Sequence, residues 1–314
     1  MHWLGGVVWG SIIFAVEAWE ESYRHLLYIR PRSQHARCNQ CLRHKLLIRK
    51  LKKRPLARRA QLLLFKQHLS RQYRDRTYYW SLRSESLVGM TDTGLVTVCF
   101  ILDSIDHGKF QYPKHMGLWA KEFSTFCKPT LGTTCVIAHG YGCYLYLSEG
   151  RTPHDSSWTC EVIAATLHNL TEQFDIEWRK VKLVLCGDNS SKELKNNSVI
   201  RLLSGLTASQ RIYSAALYTL ESGHSHEDID QYFSSLATAV AGMTELATPS
   251  DYILALQQWM DTCGLRPRER VKQVKLVDRV RDWNLDCEFY PGLGIPRKPL
   301  EVWKSFGIFI FHRF

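Results

Sequence analysis

The feature that most constrains the fold of this chain is a short apolar run that ends in a carboxylate. Residues 182–186 read KLVLC, and Gly187-Asp188-Asn189 follows. A short unbroken run of Val, Leu and Cys is typical of a strand that is buried on both faces. Asp188 comes where that strand ends, which is where open α/β sheets place their ligands and their chemistry. A cap or an Asx turn is the alternative role for Asp188, because Asp-Asn before Ser-Ser is also good capping sequence.

A second apolar run has the same form. Residues 95–102 read LVTVCFIL, and Asp103 follows directly, so a second buried strand is predicted to carry a carboxylate at its end. Asp106 lies close by, but Asp103 continues the register of the strand more directly and is the preferred candidate. Lys109 lies in the basic, aromatic loop beyond, where its side chain suits a phosphate contact.

Strands and helices alternate along the rest of the central region. Two short strands are predicted within 134–147, about a tight turn, and a helix capped by Asp155 or an adjacent serine follows. After the strand that carries the second carboxylate, a helix is predicted over 191–206 with two lysines near its beginning. Residues 211–220 read as one more strand.

A dense group of histidines and acids, GHSHEDID, begins at Gly223 and opens a further helix. Its acids are Glu227, Asp228 and Asp230. Glu227 and Asp230 are neighbours on one helical face because they are three residues apart. The helix dipole favours acids at a helix start, but it does not explain the presence of His224 beside them.

Charge divides the chain into a basic arm and a mildly acidic body. Arg30–Arg83 carries 17 Lys or Arg and one acid, Asp75, whereas the rest of the chain carries 24 basic and 29 acidic residues. The arm is predicted to be helical, with a break at Pro55, and to bind a nucleic-acid backbone, with the aromatic residues at 73–80 available for stacking. A solvated basic face that packs on the body is the alternative. The cations expected to contact the backbone are Lys45, Arg49, Lys52, Lys53, Arg58 and Arg59.

The arm also contains four residues of the types that bind zinc, His35, Cys38, Cys41 and His44, spaced three apart. A Cys-x2-Cys pair is a familiar zinc half-site. Four ligands at this spacing would turn by about 180° around a helix, so they could reach one ion only if the helix were broken. A pair from elsewhere in the chain could complete the site, and the sequence does not identify one. Reactive or buried thiols are the alternative.

The ten cysteines and the N-terminus bear on the location of the protein. Several cysteines, Cys99 and Cys186 among them, lie in apolar strand-like runs and are expected to be small buried side chains, which favours a reducing compartment. Residues 3–19 are apolar but fall short of the roughly 20 residues of a membrane span, and they lack the features of a signal peptide. We therefore expect no membrane association and a poorly defined N-terminal segment over 1–29.

The order of the elements resembles the ribonuclease-H-like arrangement, in which the first and fourth strands lie side by side at the centre of the sheet and a later helix brings a third acid. The predicted fold class is α/β, a ribonuclease-H-like mixed five-stranded sheet flanked by helices, with a basic helical N-terminal arm and a small C-terminal extension. The arm is expected at 30–88, the core at 95–245, and a helical or irregular extension at 246–314.

Four segments of the chain carry a family resemblance: SQHARCNQCLRHK, LDSIDHGKFQYPK, LCGDNSSKELKNN and GHSHEDIDQYF. Together they resemble a transposon-derived family of eukaryotic proteins with a DDE-type, integrase-like core. The resemblance covers about residues 30–245. It implies that Asp103, Asp188 and Asp230 form a metal-binding triad with His224 beside them, and Glu227 and Asp228 are the alternates for the third acid. Converging acids repel one another unless cations lie between them, and hard oxygen ligands favour Mg²⁺ or Mn²⁺. Two such ions about 4 Å apart suit the displacement of a phosphodiester.

Three functions remain open at this point. The first is metal-dependent cleavage or strand transfer on DNA in the nucleus, with Lys109, Lys192 and Lys195 neutralising phosphates; a homo-oligomer is compatible with it. The second is a catalytically inactive nucleic-acid-binding protein derived from a transposase. The third is a small-molecule phosphoester hydrolase that uses Asp103 or Asp188 with His224 and has no need of the arm.

Overall fold

The computed structural model describes residues 38–89, 94–105, 107–114, 128–150, 152–188, 194–220, 228–262, 270–283 and 308–312. All of them belong to one compact unit, Arg37–Phe314. Its helices are α1 (Asn39–Lys50), α2 (Pro55–Val88), α3 (Ser156–Gln173), α4 (Asn197–Ala208), α5 (Asp228–Gly242) and α6 (Pro249–Thr262). Its strands are β1 (Val96–Ile105), β2 (Leu131–Ala138), β3 (Gly142–Glu149), β4 (Val181–Asp188), β5 (Ser214–Leu220), β6 (Val271–Leu276) and β7 (Ile308–His312).

The strands form one mixed sheet in the order β6-β3-β2-β1-β4-β5-β7. β1, β2 and β3 are antiparallel neighbours, and β4 and β5 run parallel to β1. The five central strands therefore have the ribonuclease-H-like connection order that the sequence predicted, with the first and fourth strands adjacent. The fold class is confirmed.

The sheet is wider than predicted. β6 adds in parallel to β3, and β7 adds in antiparallel to β5, so the sheet has seven strands and not five. Both edge strands come from 246–314, for which we predicted helix or irregular structure. The segment of β6, VKQVKL, has one fully buried side chain, Val274. An edge strand tolerates lysines and needs few apolar residues, so this segment did not have the apolar pattern by which the other strands were predicted.

Each face of the sheet is covered by helices. On one face, α5 and the end of α2 pack over β1, and α6 packs against β6; Leu236, Leu82 and Tyr252 are buried there. On the other face, α3 and α4 pack through residues such as Trp158 and Leu203. Strands covered on both sides must be apolar at nearly every position, which explains the unbroken runs in β1 and β4.

Local capping sets the helix starts. The side chain of Asp155 accepts from the backbone N–H groups of Ser157 and Trp158 at 2.9 and 3.2 Å, so the predicted N-cap of α3 is confirmed. The next helix was predicted to start at 191, but α4 starts at Asn197. The side chain of Asn196 caps it by accepting from the N–H of Val199 at 3.0 Å.

The basic arm forms two helices that divide just before Pro55, as predicted. α2 is 34 residues long, and its second half runs onto the sheet, where Tyr79 and Leu82 are buried. Within the described residues, no helix is both long enough and apolar enough to cross a membrane.

The described cysteines of the sheet are buried thiols, as expected. The Sγ atoms of Cys99 and Cys186 are 3.9 Å apart, as are those of Cys135 and Cys143. A disulfide would bring each pair to about 2.05 Å. These cysteines are small side chains that fill the core.

Candidate functional site

Asp103 and Asp188 lie at neighbouring positions on two parallel strands. The last register pair of β1 with β4 is Leu102 with Gly187, so the two aspartates follow at the next position on each strand. Asp188 is the last residue of β4, and Asp103 lies in the last three residues of β1, which continues to Ile105. The carboxyl ends of both strands therefore meet at this edge of the sheet.

Gly187 has a physical role in this pairing. A Cβ atom at this position would lie 2.9 Å from the carbonyl oxygen of Leu102 and 2.8 Å from Cδ2 of Leu194. Contacts this short are not tolerated at a real Cβ, so glycine allows β1 and β4 to approach one position before the two aspartates.

The Asp103 carboxylate is partly buried and held locally. Its Oδ1 accepts from the backbone N–H of Ser104 at 2.8 Å. The hydroxyl of Ser104 contacts the hydroxyl of Thr134 at 2.8 Å, and the indole N–H of Trp158 donates to Thr134 at 2.8 Å. These contacts fix the end of β1 against β2 and α3.

The third candidate acid lies on α5, which covers the same face of the sheet as Asp103. Ile229, Phe233 and Leu236 of α5 belong to the buried cluster that contains Ile101 and Ile105, the residues on either side of Asp103 on this face. Asp230 is in the first turn of α5 and is partly buried.

Asp228, one of the alternates for that acid, is already bound within the protein. Nη1 of Arg83 donates to both of its carboxylate oxygens, at 2.9 and 2.8 Å. Nε2 of His139 lies 3.8 Å from Oδ2 of Asp228, and the hydroxyl of Tyr79 lies 2.9 Å from the same nitrogen. This network connects α2, the end of β2 and the start of α5.

No local pattern in the sequence indicates the Arg83–Asp228 pair, whose members are 145 residues apart. It also misassigned Tyr79, which we expected to be available for stacking on nucleic acid. Tyr79 is fully buried beside His139. Leu82, three residues further along α2, is the apolar neighbour on the same helical face that indicated its packing on the sheet.

The six arm cations proposed to bind a nucleic-acid backbone are all exposed. They lie in the second half of α1, in the turn after it and at the start of α2, and Lys109 is exposed as well. Lys195 is different, because only 5% of it is exposed and burial lowers the pKa of its amine. His35, Lys192, His224 and Glu227 lie outside the described residues, and Asp188 is described by its backbone.

Cys38 and Cys41 are brought together with a third residue, His68 of α2. The Sγ atoms lie 3.5 and 3.2 Å from the same nitrogen, Nε2 of His68, and the three ligand atoms are all within 4.8 Å of one another. His44 was predicted as a ligand but is not one of the three. Its Nδ1 contacts Nε2 of Gln61, and its ring stacks on that of His68 at 5.8 Å.

The position of His68 follows from the helical hairpin, residues 38–78, which is formed by α1 and the first part of α2. The turn between α1 and α2 lies at residues 51–54. A residue about as far after this turn as Cys38 and Cys41 are before it lies opposite them, because the two helices run antiparallel with the same rise per residue. His68 meets this condition, so counting outward from Pro55 could have identified it.

Three solved structures are similar to the chain. They are the Mos1 strand transfer complex (TM-score 0.39, 13% identity), a pre-cleavage Mos1 transpososome (0.37, 11%) and the Mos1 transposase paired-end complex with left transposon end (0.35, 11%). The matches cover 82%, 82% and 80% of this chain and 64%, 82% and 62% of those chains. The chain thus spans less than two thirds of the length of two of them.

One protein family, described as a domain of unknown function (DUF7869), matches residues 129–289. That range begins just before β2 and ends beyond β6, so it takes in most of the sheet. No curated protein sequence matches the chain.

Proposed function

The chain belongs to the family of the domain of unknown function DUF7869, and we propose that it acts on DNA in the nucleus as a metal-dependent nuclease or strand transferase of the transposase type. The observation that carries the proposal is the register of β1 and β4, which gives Asp103 and Asp188 adjacent positions at one edge of the sheet. Such an edge is where α/β sheets hold their ligands.

The residues at this edge suit hard divalent cations. Asp103, Asp188 and Asp230 offer carboxylate oxygens, which favour Mg²⁺ or Mn²⁺ over softer metals. Asp230 is the preferred third acid, since Arg83 already engages Asp228. Glu227 remains an alternate. When bound, two such ions would stabilise charge on the attacking and leaving oxygens of a phosphodiester.

The protein's own residues would bind and orient the DNA. Lys109 is exposed a few residues beyond Asp103 and is proposed to neutralise a phosphate near the site, together with Lys192. Lys195 was expected to join them, but only 5% of it is exposed, so it is left out of this proposal. The exposed cations of the hairpin are proposed to hold the backbone further away. His224 is proposed to lie beside the acids.

A plasmid-nicking assay tests the proposal. We expect the full chain to nick supercoiled DNA in Mg²⁺ or Mn²⁺ but not in EDTA, and we expect Asp188→Asn to lose this activity while it still binds DNA. Asp278→Asn is the matched control, because Asp278 is an exposed acid beyond β6, and it should nick as well as the wild type. Equal nicking by Asp188→Asn and the wild type would exclude the acids as the source of the activity.

A second candidate, DNA binding without cleavage, is favoured by the exposed basic hairpin. In that case the wild type would show no nicking in either metal but would bind DNA with a steep salt dependence. Replacement of Lys52, Lys53, Arg58 and Arg59 by alanine should then lower the slope of log K against log salt by up to about four. If this slope stays unchanged, the hairpin is not the DNA-binding surface.

A further inference from the structure

The helical hairpin of residues 38–78 buries side chains that are unusual for a contact between two helices. α1 buries none of its side chains. Over the whole of 38–78, all of which is described, the buried side chains are Cys38, His68 and Gln72. The leucines of the hairpin are partly or fully exposed, including Leu46 and Leu63 at 55% each. A hydrophobic seam does not hold these helices together.

We propose that Cys38, Cys41 and His68 bind a zinc ion that fastens α1 to α2. Thiolate and imidazole are the ligand types zinc prefers, and they are unsuited to Mg²⁺. The proposed site does not depend on the function proposed for the carboxylates, and it differs from the ligand set expected from sequence because its histidine comes from the second helix.

The distances fit zinc geometry. With Zn–S near 2.3 Å and Zn–N near 2.0–2.1 Å, a tetrahedral site places its ligand atoms roughly 3.5–3.8 Å apart. The two sulfurs lie 3.5 and 3.2 Å from Nε2 of His68, and all three atoms fall within 4.8 Å of one another. The proposal assigns three of the four ligands that zinc takes.

Hydrogen bonding alone explains this arrangement less well. An imidazole nitrogen either donates one proton or accepts with one in-plane lone pair, yet both sulfurs approach the same Nε2. A metal placed between the three atoms satisfies all of them at once. Cys38 is also the N-cap residue of α1 and Cys41 is in its first turn, where the helix dipole favours the negative charge of thiolates.

A zinc ion here would supply what the hairpin lacks in hydrophobic burial. Small units with little core commonly depend on a metal, and the metal's binding energy then contributes to folding. Removal of zinc should release α1 from α2, whereas the sheet, whose core is separate, should stay folded.

The test is to purify the full chain without added chelator and to measure its metal content by inductively coupled plasma mass spectrometry. We expect one equivalent of zinc in the wild type and its loss in Cys41→Ser and His68→Asn. His44→Asn is the matched control, because His44 stacks on His68 without belonging to the cluster, and it should keep the zinc. Zinc retained by His68→Asn would overturn the assignment of that ligand.

A second measurement on the wild type guards against variants that fail to fold. After exchange of the metal for Co²⁺, thiolate ligation gives a sulfur-to-metal charge-transfer band in the near ultraviolet, and we expect this band together with d–d bands of tetrahedral intensity. A wild-type chain that carries no zinc, takes up none when it is added and shows no such band would overturn the proposal. Chelation of the wild type should also speed tryptic cleavage at residues 49–54 and leave the sheet protected, whereas unchanged cleavage would count against the fastening role.

Discussion

The sheet and the helical hairpin are built on opposite principles. Every residue of β2 is buried, and β1 and β4 are covered by helices on both faces. In the hairpin, α1 has no buried side chain, and large apolar residues such as Leu56 and Leu63 face solvent. The comparison shows that hydrophobic burial determines the geometry of the sheet, whereas a few polar and sulfur contacts determine that of the hairpin.

The candidate carboxylate site lies in the part of the molecule that burial holds rigid. Asp103 and Asp188 extend from the two strands at the centre of the sheet, and catalytic groups need such support because small displacements are costly. The six exposed cations proposed to contact a nucleic-acid backbone lie on the hairpin, which has few buried side chains. One long helix, α2, belongs to both regions.

The largest expected effect comes from making the same substitution, leucine to alanine, in the sheet and in the hairpin. Leu185→Ala removes a fully buried side chain of β4 and should lower the free energy of unfolding by about 2–5 kcal/mol. Leu63→Ala removes a side chain that is 55% exposed and should change it by no more than about 0.5 kcal/mol. Urea denaturation followed by circular dichroism measures both. Similar losses would mean that the hairpin leucines are covered in solution, for example by a second copy.

The regular elements of the sheet were predictable because their signals are local. Unbroken apolar runs identified β1 and β4, and a helix start at Asp155 was readable from capping chemistry alone. β1 nevertheless extends to Ile105, so Asp103 belongs to the strand and does not follow it. Polar residues continue a strand when a neighbouring strand provides backbone partners, which here is β2.

The contacts that join distant segments differ in how far they could be predicted. Nothing near Arg83 in the sequence indicates Asp228, because their contact is created by tertiary packing. His68 has no local signal beside Cys41 either, and only the count of residues outward from the turn before Pro55 indicates it. The edge strand β6 was missed for a related reason, because VKQVKL has no regular alternation and only one fully buried side chain, Val274, so it is recognisable as a strand only beside β3. Local patterns thus determine elements, and tertiary packing determines which side chains meet.

The next prediction concerns the ion pair between α5 and the end of α2, the helix that belongs to both regions. Arg83→Ala removes the Nη1 donor that both oxygens of the Asp228 carboxylate share and should lower the free energy of unfolding by about 1–2 kcal/mol. The value is moderate because the Arg83 side chain is 32% exposed, so solvent screens part of the interaction. Urea denaturation of both single variants and of the double variant measures the coupling.

In this double-mutant cycle, Asp228→Asn should lower the free energy of unfolding by less in the Arg83→Ala background than in the wild type, with a coupling of about 0.5–1.5 kcal/mol. Arg58→Ala is the control for the loss of one positive charge, because Arg58 is exposed at the start of α2, and it should leave stability unchanged within about 0.5 kcal/mol. Strict additivity of the Arg83 and Asp228 effects would contradict the importance of this pair to the junction.

The smallest expected effect concerns a polar contact between α3 and the residues that follow β6. It shows that polar contacts also contribute to the region of the sheet, and not only to the hairpin. Glu161 of α3 accepts from Nε and Nη2 of Arg281 at 3.0 and 3.1 Å and from the indole N–H of Trp283 at 2.9 Å. Burial raises the pKa of this carboxyl, but the hydrogen bonds from Arg281 and Trp283 outweigh it and leave the pKa below its usual value.

A lowered pKa means that the folded state favours the carboxylate. The stabilisation is therefore fully present above the unfolded pKa, near 4.3, and is lost as pH falls through the lower folded value. Glu161→Gln should be less stable than the wild type at pH 7 by less than about 1 kcal/mol, because Arg281 is 54% exposed. The difference should shrink as pH falls from about 5 to 3, measured by thermal unfolding. Arg281→Ala should flatten the pH profile in the same way, and a difference that stays constant from pH 7 to pH 3 would exclude Glu161 as the titrating group.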